Sequence, residues 1–379
     1  MFHFDSLSQI SLAAYALLTL ITLLSAPRQD LRDKRDLILV VFGNLLAYSA
    51  RSEWLFAAGW GLTIAPFFLH REVYSLGVRI VHGVSLLALI LGLATGSQPI
   101  AAFSLFAAAA LLRKGIFPLH FWVPSAFEKG SLPFLSLFLN AHLGAYLMIR
   151  FAAPHFPDVA SHSLTLLGFL AIFTSLYCAI LAIVAQRTRR VLALLCTSQA
   201  AFILAGLENR NVEGITGALL HWWVVGFATT ALLSVYRALE VRTSEVSSIK
   251  GMLGLGFHAP RLAVLFSVAA LALVGLPGTL GFVAEDLLFH GSLESHPLLG
   301  IGLPLATAIN AVTSLRLLSN LFMGRRGTKI PWIPDATPRE RWALTIPVVL
   351  LVAGGIVPAV LISARSPSAH WIAGLLASR

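Results

Sequence analysis

The chain has 379 residues, 57% of them hydrophobic and 12% charged, and a formal net charge of +10. A mean hydropathy of +0.83, with apolar runs far longer than a buried core helix needs, excludes a soluble globular protein and points to a polytopic membrane protein. The positive charge requires no nucleic acid, because basic loops attracted to anionic lipid account for it.

The first apolar stretch, Ser8 to Ala26, follows Asp5 with neither a basic residue nor a small-residue cleavage site, so it reads as a retained helix rather than a signal peptide. One crossing takes about 20 apolar residues, and a helix interrupted midway takes more. The pattern therefore predicts an all-α polytopic membrane protein of about 12 transmembrane helices, over 8–26, 37–50, 54–69, 76–95, 99–127, 132–149, 163–185, 191–207, 213–236, 261–291, 298–321 and 342–363. With the N-terminus outside, the inner side receives eighteen Lys and Arg residues and the outer side five: Arg51, Arg150, Arg210, Arg365 and Arg379. Short cytoplasmic loops concentrate basic residues, so both termini are expected outside, in a multi-pass protein of the cytoplasmic (inner) membrane. Cys178 and Cys196 lie in apolar segments and read as small core residues, not as a disulfide or metal pair.

Four basic residues fall inside predicted spans: Arg79, Arg113, Lys114 and Arg316. A charge at mid-bilayer costs about 3 kcal/mol on insertion scales. Arg79 and Arg316 can snorkel to the headgroups. Arg113 and Lys114 have no such exit, because they open the stretch "RKGIFPLHFWVPSAF" and Glu128 and Lys129 follow only after it. Pro118 removes a backbone donor and opens the helix, and the freed carbonyls must face protein or water. The cation pair, the break and His120 together mark a polar site at mid-depth.

A second break occurs in "GLPGTLGFVAEDLLFHG", where Pro277 and Gly278 precede Glu285 and Asp286. Adjacent carboxylates repel when both ionise, a setting that suits a proton relay; the alternative is two ordinary solvated acids in an outer loop. His82, His142 and His221 each lie on an apolar background. Each alone fits a packed core histidine, but as a set they suit intermediate proton carriers. His290 and His296, like His155 and His162, lack a convergent acid or thiolate spacing, so no metal site is expected. No phosphate-binding glycine loop, CxxC pair or nucleophile motif is visible, and neither a catalytic residue nor a cofactor is expected.

"RKGIFPLHFWVPSAF", followed by "NAHLGAYLMIR" at Asn140 to Arg150, resembles the broken helix and following helix of the proton-conducting subunits shared by respiratory complex I, membrane-bound hydrogenases and Mrp-type sodium/proton antiporters. The resemblance continues in order through "QRTRRVLALLCTSQAAFILAG", "ALLHWWVVGFATTALL" and "GLPGTLGFVAEDLL", from about Trp54 to Leu288. It implies two inverted five-helix repeats, each with one discontinuous helix, and a histidine-bearing broken helix around His221. The implied organisation is an N-terminal helix and inner loop (1–36), a first repeat (37–150), an outer loop (151–162), a second repeat (163–322), and an inner loop with a C-terminal helix (323–379).

Departures from the family pattern bear on mechanism. The family's early Trp-Glu reads Trp60-Gly61 here, and Glu53 lies eight residues earlier, about 12 Å along a helix. The family lysine of the first break aligns with Arg113, leaving Lys114 one step off register, and the central lysine of the second repeat falls on Thr229. Arginine stays charged in essentially any site, so only Lys114 of the pair can release a proton.

Two function classes follow. In the first, the chain is a proton or Na+ pathway in a multi-subunit complex, with Lys114, His221 and Glu285 as carriers, Arg113 as a fixed charge, and His120, His142 and Asp286 along the route. Its partners are then other membrane subunits or a large peripheral subunit, as in the inorganic-carbon uptake systems whose peripheral subunit holds zinc. In the second, it is a non-conducting structural subunit that keeps the fold.

Overall fold

The computed structural model describes residues 5–31, 34–325 and 332–377. Of the basic residues counted above, Arg32, Arg326, Lys329 and Arg379 lie outside the described residues. The fold is all-helical. In chain order come α1 (Ser6–Ser25), α2 (Lys34–Ser49), α3 (Glu53–Leu69), α4 (Leu76–Ala94) and α5 (Pro99–Lys114). A break and a short 3-10 turn then lead into α6 (Trp122–Lys129), bent by 41° from α5. Next is an interrupted helix made of α7 (Leu132–Asn140), α8 (Leu143–Leu147), a π turn and α9 (Ala153–His155). The remainder comprises α10 (Pro157–Val184), α11 (Thr188–Leu207), α12 (Val212–Glu240), α13 (Pro260–Leu273), α14 (Leu280–Ser295), α15 (Pro297–Phe322), α16 (Pro338–Ile356) and α17 (Pro358–Ala377).

Among the described residues, seven helical segments are long and apolar enough to cross a membrane, or nine if each of two bent pairs counts as one span. Exposed Leu, Ile, Val and Phe on α4, α10 and α15 have no place in water and suit contact with lipid. By contrast α11 and α12 are covered nearly all round, and so form the centre of the bundle.

The predicted last span, 342–363, does not continue through its middle. Helix α16 stops, Val357 leaves helical geometry, and α17 departs at 89°. Pro358 explains the corner, since the residue before a proline is pushed out of the α region. The resemblance also implied a break in the helix carrying His221, yet α12 is continuous over 29 residues. An interruption lies instead in the span made of α7 to α9, at Ala141–His142, where His142 takes a left-handed conformation (φ 46°).

Charged groups gather at one end of the bundle. Arg189 forks onto Glu240 (2.6 and 2.8 Å) and donates to the Phe127 and Gly130 carbonyls, while Arg237 bridges Asp30 and Glu240. This network ties α6, α11, α12 and the α1–α2 loop together.

Helices α2 and α3 approach through glycines. A Cβ at Gly59 would sit 2.6 Å from the Gly43 carbonyl oxygen and 2.8 Å from the Ala47 amide nitrogen, whereas one at Gly61 would meet only Leu86 at 3.7 Å. Small residues permit such close helix approach in membranes. Gly59→Val is expected to destabilise the protein by about 1–3 kcal/mol, read as a lower midpoint in detergent thermal unfolding, while Gly61→Ala leaves the midpoint unchanged.

Candidate functional site

The first break is built to hold charge without exposing backbone. Gly115 ends α5 in a left-handed turn, and the Phe117–Pro118 peptide is cis. Trp122 Nε1 donates to the Leu112 carbonyl (2.9 Å), which also accepts from the Gly115 amide (3.3 Å), and the Phe117 amide donates to Thr174 Oγ1 (2.9 Å). Arg113 and Lys114 occupy the last turn of α5 and are both buried. The negative end of the helix dipole favours cations there.

The two cations point to different neighbours. The Arg113 guanidinium lies over the rings of Trp60 (4.4 Å) and Phe138 (4.2 Å) and donates through Nη2 to Thr63 Oγ1 (2.9 Å). No ion pair to Arg113 occurs among the described residues. Thr63 is the contact that sequence reasoning missed: position 61 faces Leu86, while Trp60 and Thr63 face the cation. Lys114 Nζ lies 3.2 Å from His142 Nδ1. The left-handed turn at His142 brings that ring to the lysine and sets it edge-on to Trp222 (5.5 Å). Trp222 is the residue next to His221 on α12, so the His142 ring packs one position away from His221.

Beyond His221 the polar side chains continue. His221 Nε2 lies 3.1 Å from the Gln199 carbonyl oxygen, and the Gln199 side-chain amide is buried without a hydrogen-bond partner among the described residues. The adjacent Ser198 is joined to Ser175 and accepts from Asn310 Nδ2 (2.7 Å). Asn310 and Thr307 share a face of α15 at a three-residue spacing, and Thr307 donates to Glu285 Oε2 (3.0 Å). The second break makes room for this acid: Gly275 is left-handed (φ 69°), and a Cβ there would lie 2.7 Å from Glu285 Oε2. Pro277 and Gly278 (φ 86°) complete the turn. Two stretches of buried and part-buried polar groups result, the Lys114–His142 pair and the series from His221 to Glu285, with Trp222 between them.

Other predicted residues lie elsewhere. Asp286 is half-exposed and faces His290 (3.5 Å) rather than Glu285, because successive helix positions point about 100° apart. His120 is half-buried, packed on Phe117 and Tyr177. It lines a cavity of about 210 Å³ with Glu128 and Arg190, next to a wider cleft of about 520 Å³ whose wall carries the Arg187–Glu128 ion pair (3.3 Å). His82 is buried between Phe67 and Trp122, and neither ring nitrogen has a hydrogen-bond partner among the described residues. Arg316 donates to the Ala182 and Ile183 carbonyls near the end of α10.

Arg365 corrects the sequence reading, which placed it on the outer surface. It is fully buried on α17, 4.3 Å above the Trp223 ring, and its three guanidinium nitrogens have no hydrogen-bond partner among the described residues. The turn at Val357, which lays α17 against α12, is the cause. Glu208, also missed, is a buried acid at the end of α11, in an ion pair with His296 and accepting from Thr165 (3.2 Å). Burial pushes its carboxyl up, and the facing His296 opposes that shift.

An all-helical membrane bundle with charged side chains at two helix breaks is the architecture of antiporter-like membrane subunits. The family described as NADH:quinone oxidoreductase/Mrp antiporter, TM, matches residues 62–310, and the chain belongs to that family. Among relatives, NADH-quinone oxidoreductase subunit N of Rhodococcus opacus is 27% identical over 261 residues, 67% of this chain and 48% of that one. NAD(P)H-quinone oxidoreductase chain 4 2 of a Synechococcus species is 24% identical over 98% of this chain and 78% of its own length. The chain thus spans about half of the first of these relatives. Two solved assemblies contain the same fold: respiratory complex I from Thermus thermophilus (TM-score 0.84, 24% identity, 99% of this chain and 86% of that one) and the Mrp complex from Dietzia sp. (TM-score 0.82, 20% identity, 99% and 86%).

Proposed function

We propose that the chain is a proton- or cation-translocating membrane subunit of a multi-subunit complex. The observation that carries this reading is the row of polar groups inside the bundle, Lys114 with His142 at one helix break and His221, Gln199, Ser198, Asn310 and Thr307 leading to Glu285 at the other, with Trp222 between the two stretches. Ionisable groups inside a membrane bundle are costly and mark ion or proton routes. The cleft leading to His120 supplies a water-accessible approach to the first break.

The remaining expectations belong to the same proposal: about twelve crossings, two inverted repeats over 37–150 and 163–322, both termini outside and residence in the cytoplasmic membrane. The inverted-repeat reading draws support from the two breaks, each of which sets glycine and proline beside an ionisable group inside the bundle: Arg113 and Lys114 just before the first, Glu285 after the second. With no redox centre expected in this chain, the driving force comes from a partner, either neighbouring membrane subunits or the peripheral zinc subunit of an inorganic-carbon uptake system.

One observation favours the scaffold alternative. Thr229, at the family's central lysine position, is satisfied by Asn140 Oδ1 (2.9 Å) and the Val225 carbonyl (2.6 Å), a neutral arrangement where a carrier is expected. Reconstitution decides between the two. The complex purified with its partners into liposomes should dissipate an imposed pH gradient, measured with an entrapped pH-sensitive dye; a tight vesicle indistinguishable from protein-free controls, with intact complex verified, establishes the scaffold.

A further inference from the structure

Helices α1 and α2, with Arg339 at the start of α16, border a groove of about 620 Å³. Its walls are aliphatic and aromatic, with Leu20, Leu24, Ile38 and Phe42 exposed along it and Leu45 at its deep end. Polarity enters only at the mouth, where Lys34 and Arg339 stand. Arg339 is fixed there by donating to the Leu23 carbonyl, which leaves its other guanidinium nitrogens available. No acid lines the groove, and neither cation has an ion pair among the described residues. Asp30 and Asp36, the described acids nearest Lys34 in sequence, are engaged with Arg237 and with His70, and Glu340, next to Arg339, pairs with Arg242.

Dimensions and charge select the occupant. Lys34 and Leu45 are eleven residues apart on α2, about 16 Å of helix rise, and half of a bilayer's hydrocarbon core is about 15 Å. The groove is therefore one leaflet deep, open to lipid along its side, and cationic only at headgroup level. A helix from a neighbouring protein would fill the apolar part but leave both cations unneutralised unless it carried acids at that height. We propose that this groove is a site for one anionic phospholipid, with an acyl chain along Leu24, Ile38 and Phe42 and the phosphate between Lys34 and Arg339. The site stands apart from the transport reading and requires only that the helices be embedded in a bilayer.

Native mass spectrometry of the full chain, released from detergent with added phosphatidylglycerol or phosphatidylcholine of identical acyl chains, tests it. The wild type is expected to retain phosphatidylglycerol roughly ten-fold better. Lys34→Gln, which leaves the Arg339–Leu23 contact intact, should remove most of that preference, and Lys34→Gln with Arg339→Gln should remove all of it while phosphatidylcholine retention stays unchanged. Ile38→Trp, which fills the groove, should lower retention of both lipids. Equal retention of the two lipids by the wild type, or an undiminished preference in the double variant, overturns the proposal. So does a photo-crosslinker at Phe42 that, in native membranes of the assembled complex, labels a polypeptide instead of lipid.

Discussion

Glu285→Gln is expected to reduce dissipation of an imposed pH gradient by the reconstituted complex to the level of empty liposomes. The amide keeps the size of the side chain and can still accept from Thr307, so the 3.0 Å contact and the room given by Gly275 persist. What is lost is the ability to take up and release a proton, which no other carboxylate at the end of the buried line can replace. Asp286→Asn, one position on, should leave the rate unchanged because that side chain is half-exposed and faces His290. Equal rates for Glu285→Gln and wild type would remove Glu285 from the route.

Lys114→Arg should be nearly as damaging as Lys114→Met. Both are expected to lower the rate by at least ten-fold, of the order of losing one positioned proton-transfer group. Arginine preserves the charge at the end of α5 and differs in a single respect that bears on transport: it does not give up a proton in a protein. A conducting Lys114→Arg variant beside an inactive Lys114→Met would mean that the position supplies fixed charge only. Arg113→Lys separates the two cations further, since its contacts with Trp60, Phe138 and Thr63 are those of a held guanidinium, and its loss should act first on stability.

Much of this molecule could be read from its residues. Apolar composition marked an all-helical membrane protein, although the last predicted span, 342–363, runs through the corner at Val357, and the proline-glycine punctuation at Pro118 and at Pro277-Gly278 located two discontinuities, because these residues act through local backbone geometry. The break at Ala141–His142 carried no such mark at its own residues: Gly144, two positions on, is helical and gives room to Ala110 and Lys114, and the positive φ falls on a histidine in contact with Lys114 and Trp222. Arg365 was misplaced for a related reason. Ser366, Pro367 and Ser368 make its surroundings look like surface chain, yet Pro358 fixes a corner whose direction depends on packing against α12. Thr63 was invisible as a partner of Arg113, and His142, although marked as a candidate carrier, could not be paired with Lys114, because each is brought in from another helix. The line through Gln199, Ser198, Asn310 and Thr307 was equally hidden, since neutral polar residues in apolar helices carry no distinctive spacing.

The corner at Val357 has an electrostatic outcome for the flank of the bundle. It delivers a permanently charged guanidinium to the far side of Trp223, while the neighbouring Trp222 borders His142. A second cation straying sideways toward α17 would meet like charge in a poorly screened medium, where repulsion is strong. In the transport reading proposed above, the tail of the chain would insulate that flank and keep mobile charge on the axis between the two breaks.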